Sequence, residues 1–395
     1  MLASRLLQSS TKLNTAKATL TRLLSTKEPV VPRILDRKAG ETGPGGRGSD
    51  AGVKVAVFGA SGMLGRYVCT HLGTNGHMTY IANRGDDLEM RFLKPMFELG
   101  RSRFTFYSPR DRDSIAEVIA DADIVINCIG KYYETKALAD TASFPYFEYK
   151  VNYTYKETNV DIPKTIAELC TELQVDNLIH VSSINASPDS SSVWAKTKFE
   201  GEVAVKEAYP WATVIRPSQM FAPEDRLLNW FANAAERFPA VPLFEGGHAL
   251  TQPVYAVNVA DVIQKIVDDP EQFEGKTVDC FGPQDYSYKE LAEFVYDITR
   301  QDAKLADVPR DVGSIIGKGM NLLGTPMLTP DQVNLWSEDF IPEMTQEEYD
   351  ALPTKDKIYT MKDFGIDAVP IEKIAFNYLH RFRVGGHFVD APGYH

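Results

Sequence analysis

The chain has 395 residues, 44% of them hydrophobic, which is enough to bury a full core and excludes a disordered protein. Its formal charge of -12, with scattered Lys and Arg, excludes a nucleic-acid surface and a direct polybasic membrane contact. No run approaches the roughly 20 apolar residues of a bilayer span, so membrane association would have to come through partners.

The amino end differs from the rest. Arg5, Lys12, Lys17, Arg22 and Lys27 stand among many Ser and Thr, with no acid before Glu28. Leu2, Leu6, Leu13, Leu20 and Leu24 can share one side of a helix and the bases the other. That is the make-up of a mitochondrial transit peptide over residues 1–24; an unstructured basic tail is the alternative. Pro29, Pro32 and the Gly-rich run from Gly43 to Gly52 then mark an extended lead-in, residues 25–52, without a core of its own.

Val53–Phe58 reads as a short buried strand, Gly59–Gly65 (GASGMLG) as a glycine turn, and Arg66–Leu72 as the opening of a helix. In this setting the glycines serve a tight turn, close backbone approach to a pyrophosphate and close packing of helix on strand. The pyrophosphate would meet free N–H groups at the positive helix end. Gly59, Ser61, Gly62, Met63, Leu64 and Gly65 are therefore candidate cofactor contacts. After a second strand, His77–Ala82, the fingerprint expects an acid for the ribose hydroxyl of NAD. The sequence has Asn83-Arg84 instead, and a guanidinium suits the 2′-phosphate of NADP(H). Asp86 and Asp87 close behind pull the other way, and a surface arginine without a ligand is the alternative.

The alternation continues. Phe104–Tyr107 is expected as strand three, with Ser108 beyond it, Asp111–Ala120 as a helix and Asp123–Gly130 as strand four. A long helix over Glu157–Leu173, strand five at Asn177–Ser183, a helix over Trp194–Ala208 and a strand at Thr213–Pro217 follow. Such a pattern predicts a Rossmann-type doubly wound parallel sheet covered on both faces, spanning residues 53–224. Ligands of these sheets bind beyond the carboxyl ends of the strands. That placement adds Ser108, Cys128, Ile129, Gly130, Val181, Ser182, Ser183 and Pro217 to the candidates. Within 225–285, Val257–Gln264 and Thr277–Gly282 are expected to return to the sheet. Residues 286–395 are expected to form a smaller C-terminal α/β interaction region, in which Met320–Leu328 and Arg381–Phe388 are either contact surfaces or ordinary packing. Cys69, Cys128, Cys170 and Cys280 stand far apart, and His248, His380 and His387 stand alone, so neither a disulfide framework nor a metal set is indicated.

Together these segments resemble an extended short-chain dehydrogenase/reductase of the atypical branch with a G-x-x-G-x-x-G turn. More closely, the chain resembles the nucleotide-binding accessory subunits of mitochondrial respiratory complex I. The resemblance is carried by Gly45–Ser49, Val57–Val68, Arg112–Ile115, Ile124–Lys136, Ile179–Ala186, Ile215–Ser218, Glu224–Asn229, Asp363–Ile366 and the run that starts at Val369 and ends at Ile374. It implies an extended short-chain fold, bound NADP(H), other complex I subunits as partners, and a place on the matrix side of the inner membrane.

In active relatives a tyrosine gives or takes the proton while a lysine four residues later lowers its pKa and holds the ribose. Aligned on Lys198, the tyrosine position holds Trp194, whose indole N–H does not titrate in the useful range. Lys198 remains a candidate ribose contact, and Ser183 stands at the serine position of the family. The resemblance thus implies a non-catalytic subunit. A mitochondrial NADP-dependent reductase or nucleotide-sugar-type epimerase with an altered proton donor, such as Tyr132 or Tyr133, is the alternative.

Overall fold

The computed structural model describes residues 48, 51–138, 149–321, 326–342, 344–353 and 357–383. The proposed transit peptide, nearly all of the lead-in, and parts of Met320–Leu328 and Arg381–Phe388 lie outside the described residues.

In chain order the main elements are β1 (Lys54–Phe58), α1 (Met63–Thr74), β2 (Met78–Asn83), β3 (Ser102–Phe106), α2 (Arg112–Ile119), β4 (Ile124–Asn127), α3 (Ile162–Glu172), β5 (Asn177–Val181), α4 (Val193–Ala208), β6 (Thr213–Pro217), α5 (Leu228–Arg237), α6 (Ala256–Asp268), β7 (Thr277–Cys280), α7 (Tyr288–Thr299), α8 (Arg310–Met320), α9 (Pro330–Trp336), β8 (Tyr359–Thr360) and α10 (Ile371–Leu379). The eight strands form one sheet in the order β8-β7-β6-β5-β4-β1-β2-β3. Every pairing in it is parallel. The doubly wound sheet expected from the alternation is therefore present, and β4 and, past the exposed Lys54, the rest of β1 are buried because helices cover both faces. On one face Ile115 of α2, Ile166 of α3 and Val205 of α4 pack on Ala56, Phe58 and Val125. On the other, α1 packs against α6.

Three features depart from the expected elements. Val257–Gln264 does not return as a strand: it lies inside α6, whose Val259, Val262, Ile263 and Ile266 are fully buried at the spacing of one helix face. Only Thr277–Cys280 joins the sheet. Secondly, the helix expected from Glu157 opens with a π turn, Glu157–Asp161, before α3. Pro163 has no N–H for the carbonyl of Asn159, so the backbone widens there. Gly201 of α4 sits against that carbonyl; a Cβ would lie 2.0 Å from it.

The third concerns the C-terminal region, which contributes β8 to the main sheet as an edge strand, Val278 opposite Tyr359. The rest builds a smaller α/β lobe, with Val241–Phe244 paired in parallel with Leu305–Val308. Its core joins α5, α7, α9 and α10 through Phe231, Tyr288, Trp336 and Leu379, and Trp194 of α4 belongs to the same cluster.

Candidate functional site

Gly59 leaves β1 at φ +80°, where a Cβ would meet the Cys128 carbonyl oxygen at 2.8 Å. Gly62 closes the turn, its N–H donating to the Gly59 carbonyl at 3.0 Å, and is the N-cap of α1 without a side-chain cap. The N–H groups of Met63, Leu64 and Gly65 have no partner inside the helix and can meet an anion. Gly65 packs so tightly that a Cβ would lie 2.3 Å from the Gly59 carbonyl oxygen.

Above this turn opens a cleft of ≈ 560 Å³. It is lined by Gly59, Ser61 and Gly62, by Asn83 and Arg84 at the end of β2, and by Cys128, Ile129 and Gly130 beyond β4. The strand ends therefore bring together these residues from three sequence segments. Asn83 is buried and its Oδ1 accepts from the Gly85 N–H at 3.0 Å, which fixes the turn carrying the exposed Arg84.

At the other end, the Ile129 N–H donates to Asn127 Oδ1 at 3.1 Å, and Asn127 Nδ2 lies 3.2 Å from Nδ1 of the buried His180. Lys198 is buried on α4; its Nζ donates to the Val181 carbonyl at 3.2 Å and would lie 3.2 Å from a Cβ on Gly130. Burial pushes this amine down to about 8 against the pull of Glu202. Burial likewise pushes the Cys128 thiol up to about 12 and the His180 imidazole down to about 3. A desolvated cation beside an open strand end is placed to meet an anionic or hydroxyl-bearing ligand.

Trp194 is 3% exposed, and its ring stacks on Tyr132 with centroids 4.8 Å apart. The indole Nε1 is buried without a protein partner. Burial raises the pKa of Tyr132, away from a useful acid-base range. Arg226 lies over the Tyr133 ring at 4.7 Å and Lys131 at 5.1 Å.

The remaining candidates stand around the cleft rather than in its lining. Ser108 follows β3, its N–H donating to Ser114 Oγ at 3.0 Å. Val181, Ser182 and Ser183 are buried at the end of β5, with the Ser182 Oγ lacking a protein partner. The carbonyl of Pro217, at the end of β6, accepts from the Ile184 N–H at 3.1 Å. The cleft also contains Arg66, Tyr107, Pro109, Tyr153 and Ile162, which the sequence reading did not single out. Tyr107 was findable, because it directly follows β3 and strand ends face the ligand. Tyr153 was not: it reaches the cleft only because Tyr149–Tyr153 folds back antiparallel on Thr135–Leu138.

Residues 55–280 match the model of the NAD dependent epimerase/dehydratase family. Over 346 residues the chain is 35% identical to the mouse NADH dehydrogenase [ubiquinone] 1 alpha subcomplex subunit 9, mitochondrial, covering 86% of this chain and 83% of that one. It is 29% identical to the NADH-ubiquinone oxidoreductase 40 kDa subunit of Neurospora crassa, over 88% of this chain and 84% of that protein. Among solved structures, a dTDP-glucose 4,6-dehydratase from Bacillus anthracis in complex with NAD superposes with a TM-score of 0.58 at 12% identity, covering 84% and 96% of the two chains. With the matched family spanning β1 through β7 and the relatives spanning nearly the whole chain, this protein belongs to the NAD dependent epimerase/dehydratase family and, within it, to the mitochondrial NADH dehydrogenase alpha subcomplex subunit 9 family.

Proposed function

We propose that this chain is a non-catalytic accessory subunit of mitochondrial complex I, the NADH:ubiquinone oxidoreductase, which holds NADP(H) in its cleft as a structural cofactor and supports assembly of the complex. The observation that supports this reading is Trp194, buried and stacked on Tyr132 four residues before the buried Lys198: an indole does not titrate in the useful range, and on this reading it would stand where the family's proton donor stands. The names of the relatives support the complex and the mitochondrion. Gly59 to Gly65 would hold the pyrophosphate, Asn83 and Arg84 the 2′-phosphate end, Lys198 the nicotinamide ribose, and the ends of β4, β5 and β6 the nicotinamide. Bound there, the nucleotide would tie the turn after β1 to α4. No helix among the described residues is long and apolar enough to cross a membrane. Attachment on the matrix side of the inner membrane would then run through partner subunits.

Lys198→Ala is expected to weaken nucleotide retention and to lower the amount of assembled complex, since a ligand bound only to the folded state stabilises it by about 2.7 kcal/mol at one hundred times Kd. Quinone reduction by NADH, normalised to assembled complex, should stay at the wild-type value, and Trp194→Tyr should leave it unchanged as well. A large fall per complex with assembly intact would make the site catalytic and sink the proposal.

Cofactor preference has its own test. Purified protein should release NADP(H) rather than NAD(H), and Arg84→Ala should reduce that preference by the roughly 1.5–3 kcal/mol of a hydrogen bond to a charged group. Equal release of the two nucleotides by the wild type would remove the NADP(H) assignment.

A further inference from the structure

The corner of the cleft beyond Arg84 is built by residues that the glycine turn does not explain. Arg110 forms an ion pair with Glu157, Nη2 to Oε1 at 3.0 Å, and donates to the Asn152 side chain at 3.3 Å as well as to the Asn152 carbonyl. Glu157 in turn accepts from the Thr154 N–H at 3.0 Å, and Thr154 Oγ1 accepts from the Glu157 N–H at 3.2 Å. This scaffold lays the Arg110 guanidinium 4.3 Å from the centre of the half-buried Tyr153 ring. The Arg84 guanidinium lies 5.3 Å from the centre of the same ring, and both Arg84 and Tyr153 line the cleft. Arg84 is exposed, and the Tyr153 ring is a side-chain contact of its guanidinium.

We infer that Tyr153 is a positioning residue for cofactor selectivity: its ring, backed by Arg110, holds the Arg84 guanidinium where the 2′-phosphate of NADP(H) arrives. An exposed arginine loses side-chain freedom when it binds an anion. A ring face that attracts the cation beforehand removes part of that loss, so the phosphate meets a donor already in place. Arg110 is engaged by Glu157 and Asn152 and serves to back the ring. The inference rests on the NADP(H) reading above and adds the residue that makes Arg84 effective.

The test is the dissociation constant of NADPH and of NADH, each measured by fluorescence on nucleotide-depleted full-length protein. Tyr153→Leu is expected to weaken NADPH about tenfold while NADH changes by less than about twofold, and Tyr153→Phe to retain the wild-type values. In an Arg84→Ala background Tyr153→Leu should add nothing to the loss of selectivity. An equal loss for both nucleotides would make the ring a platform for the shared adenine and overturn the inference, as would an unchanged NADPH constant. Should Tyr153→Leu fail to fold, Arg110→Gln, which removes the backing and leaves the ring, carries the same comparison. Wild-type protein that binds both nucleotides equally overturns the NADP(H) reading before any substitution is made, whereas a wild-type preference that survives Tyr153→Leu overturns this inference alone.

Discussion

Gly65→Val is expected to yield a chain that neither retains nucleotide nor reaches wild-type stability. A Cβ at this position would lie 2.3 Å from the Gly59 carbonyl oxygen and 2.7 Å from the Ala60 Cα. Both are backbone atoms of the turn, and the turn has little room to move, because Gly59 is itself pressed against the Cys128 carbonyl at the end of β4. The relief left is to push α1 away from β1, which opens its packing against α6 and displaces the N–H groups that would face the pyrophosphate. Overpacking costs about 1–3 kcal/mol and sometimes more, and losing a ligand held at one hundred times Kd removes about 2.7 kcal/mol further. Thermal unfolding with quantification of extracted nucleotide measures both parts. Gly319→Ala is the control: a Cβ there meets nothing within 4 Å, and alanine in place of glycine in a helix should be neutral or slightly stabilising. A Gly65→Val protein with wild-type melting temperature and nucleotide content would refute the packing account of the turn.

Asp331→Ala should destabilise the protein by about 3 kcal/mol through a helix that lies far away in sequence. The Asp331 carboxylate is buried, and accepts from Ser192 Oγ at 2.8 Å, the Val193 N–H at 2.7 Å and the Trp194 N–H at 3.2 Å. These are N-cap and first-turn groups of α4, which otherwise relies on the N-cap Ser192 Oγ accepting from the Ala195 N–H at 3.2 Å. A negative charge at a helix N-terminus complements both its free N–H groups and its dipole. Each hydrogen bond to a charged group contributes about 1.5–3 kcal/mol, and donors left buried without an acceptor add to the loss. Because α4 also carries Trp194 and Lys198, nucleotide retention should fall together with stability. Denaturant unfolding of Asp331→Ala within about 0.5 kcal/mol of wild type, the range of an ordinary surface substitution, would show that this cap has no such weight.

The Asp331 cap shows where legibility in the sequence stops. Val53 to Leu72 could be read directly as strand, glycine turn and helix, because every contact that shapes it lies within a few residues. The alternation of strands and helices determined the parallel sheet for the same reason, with Asn83, Arg84 and Gly130 following at strand ends. Trp194 was visible by its spacing from Lys198. By contrast, Val257–Gln264 is short and apolar enough to suit a strand or a buried helix, and its packing on α1 decided for α6. β8 is only two residues long and is a strand because the edge of β7 is there to pair with it. Asp331 caps a helix start 139 positions earlier, and Tyr153 meets Arg84 only through the backward fold of its strand. Local sequence determined the glycine turn, the order of elements and the residue types at the strand ends, since those depend on neighbours along the chain. Which distant side chains cap, back and restrain them was decided by the tertiary structure, because a hydrogen bond or ring contact between residues far apart exists only once the sheet has set their separation.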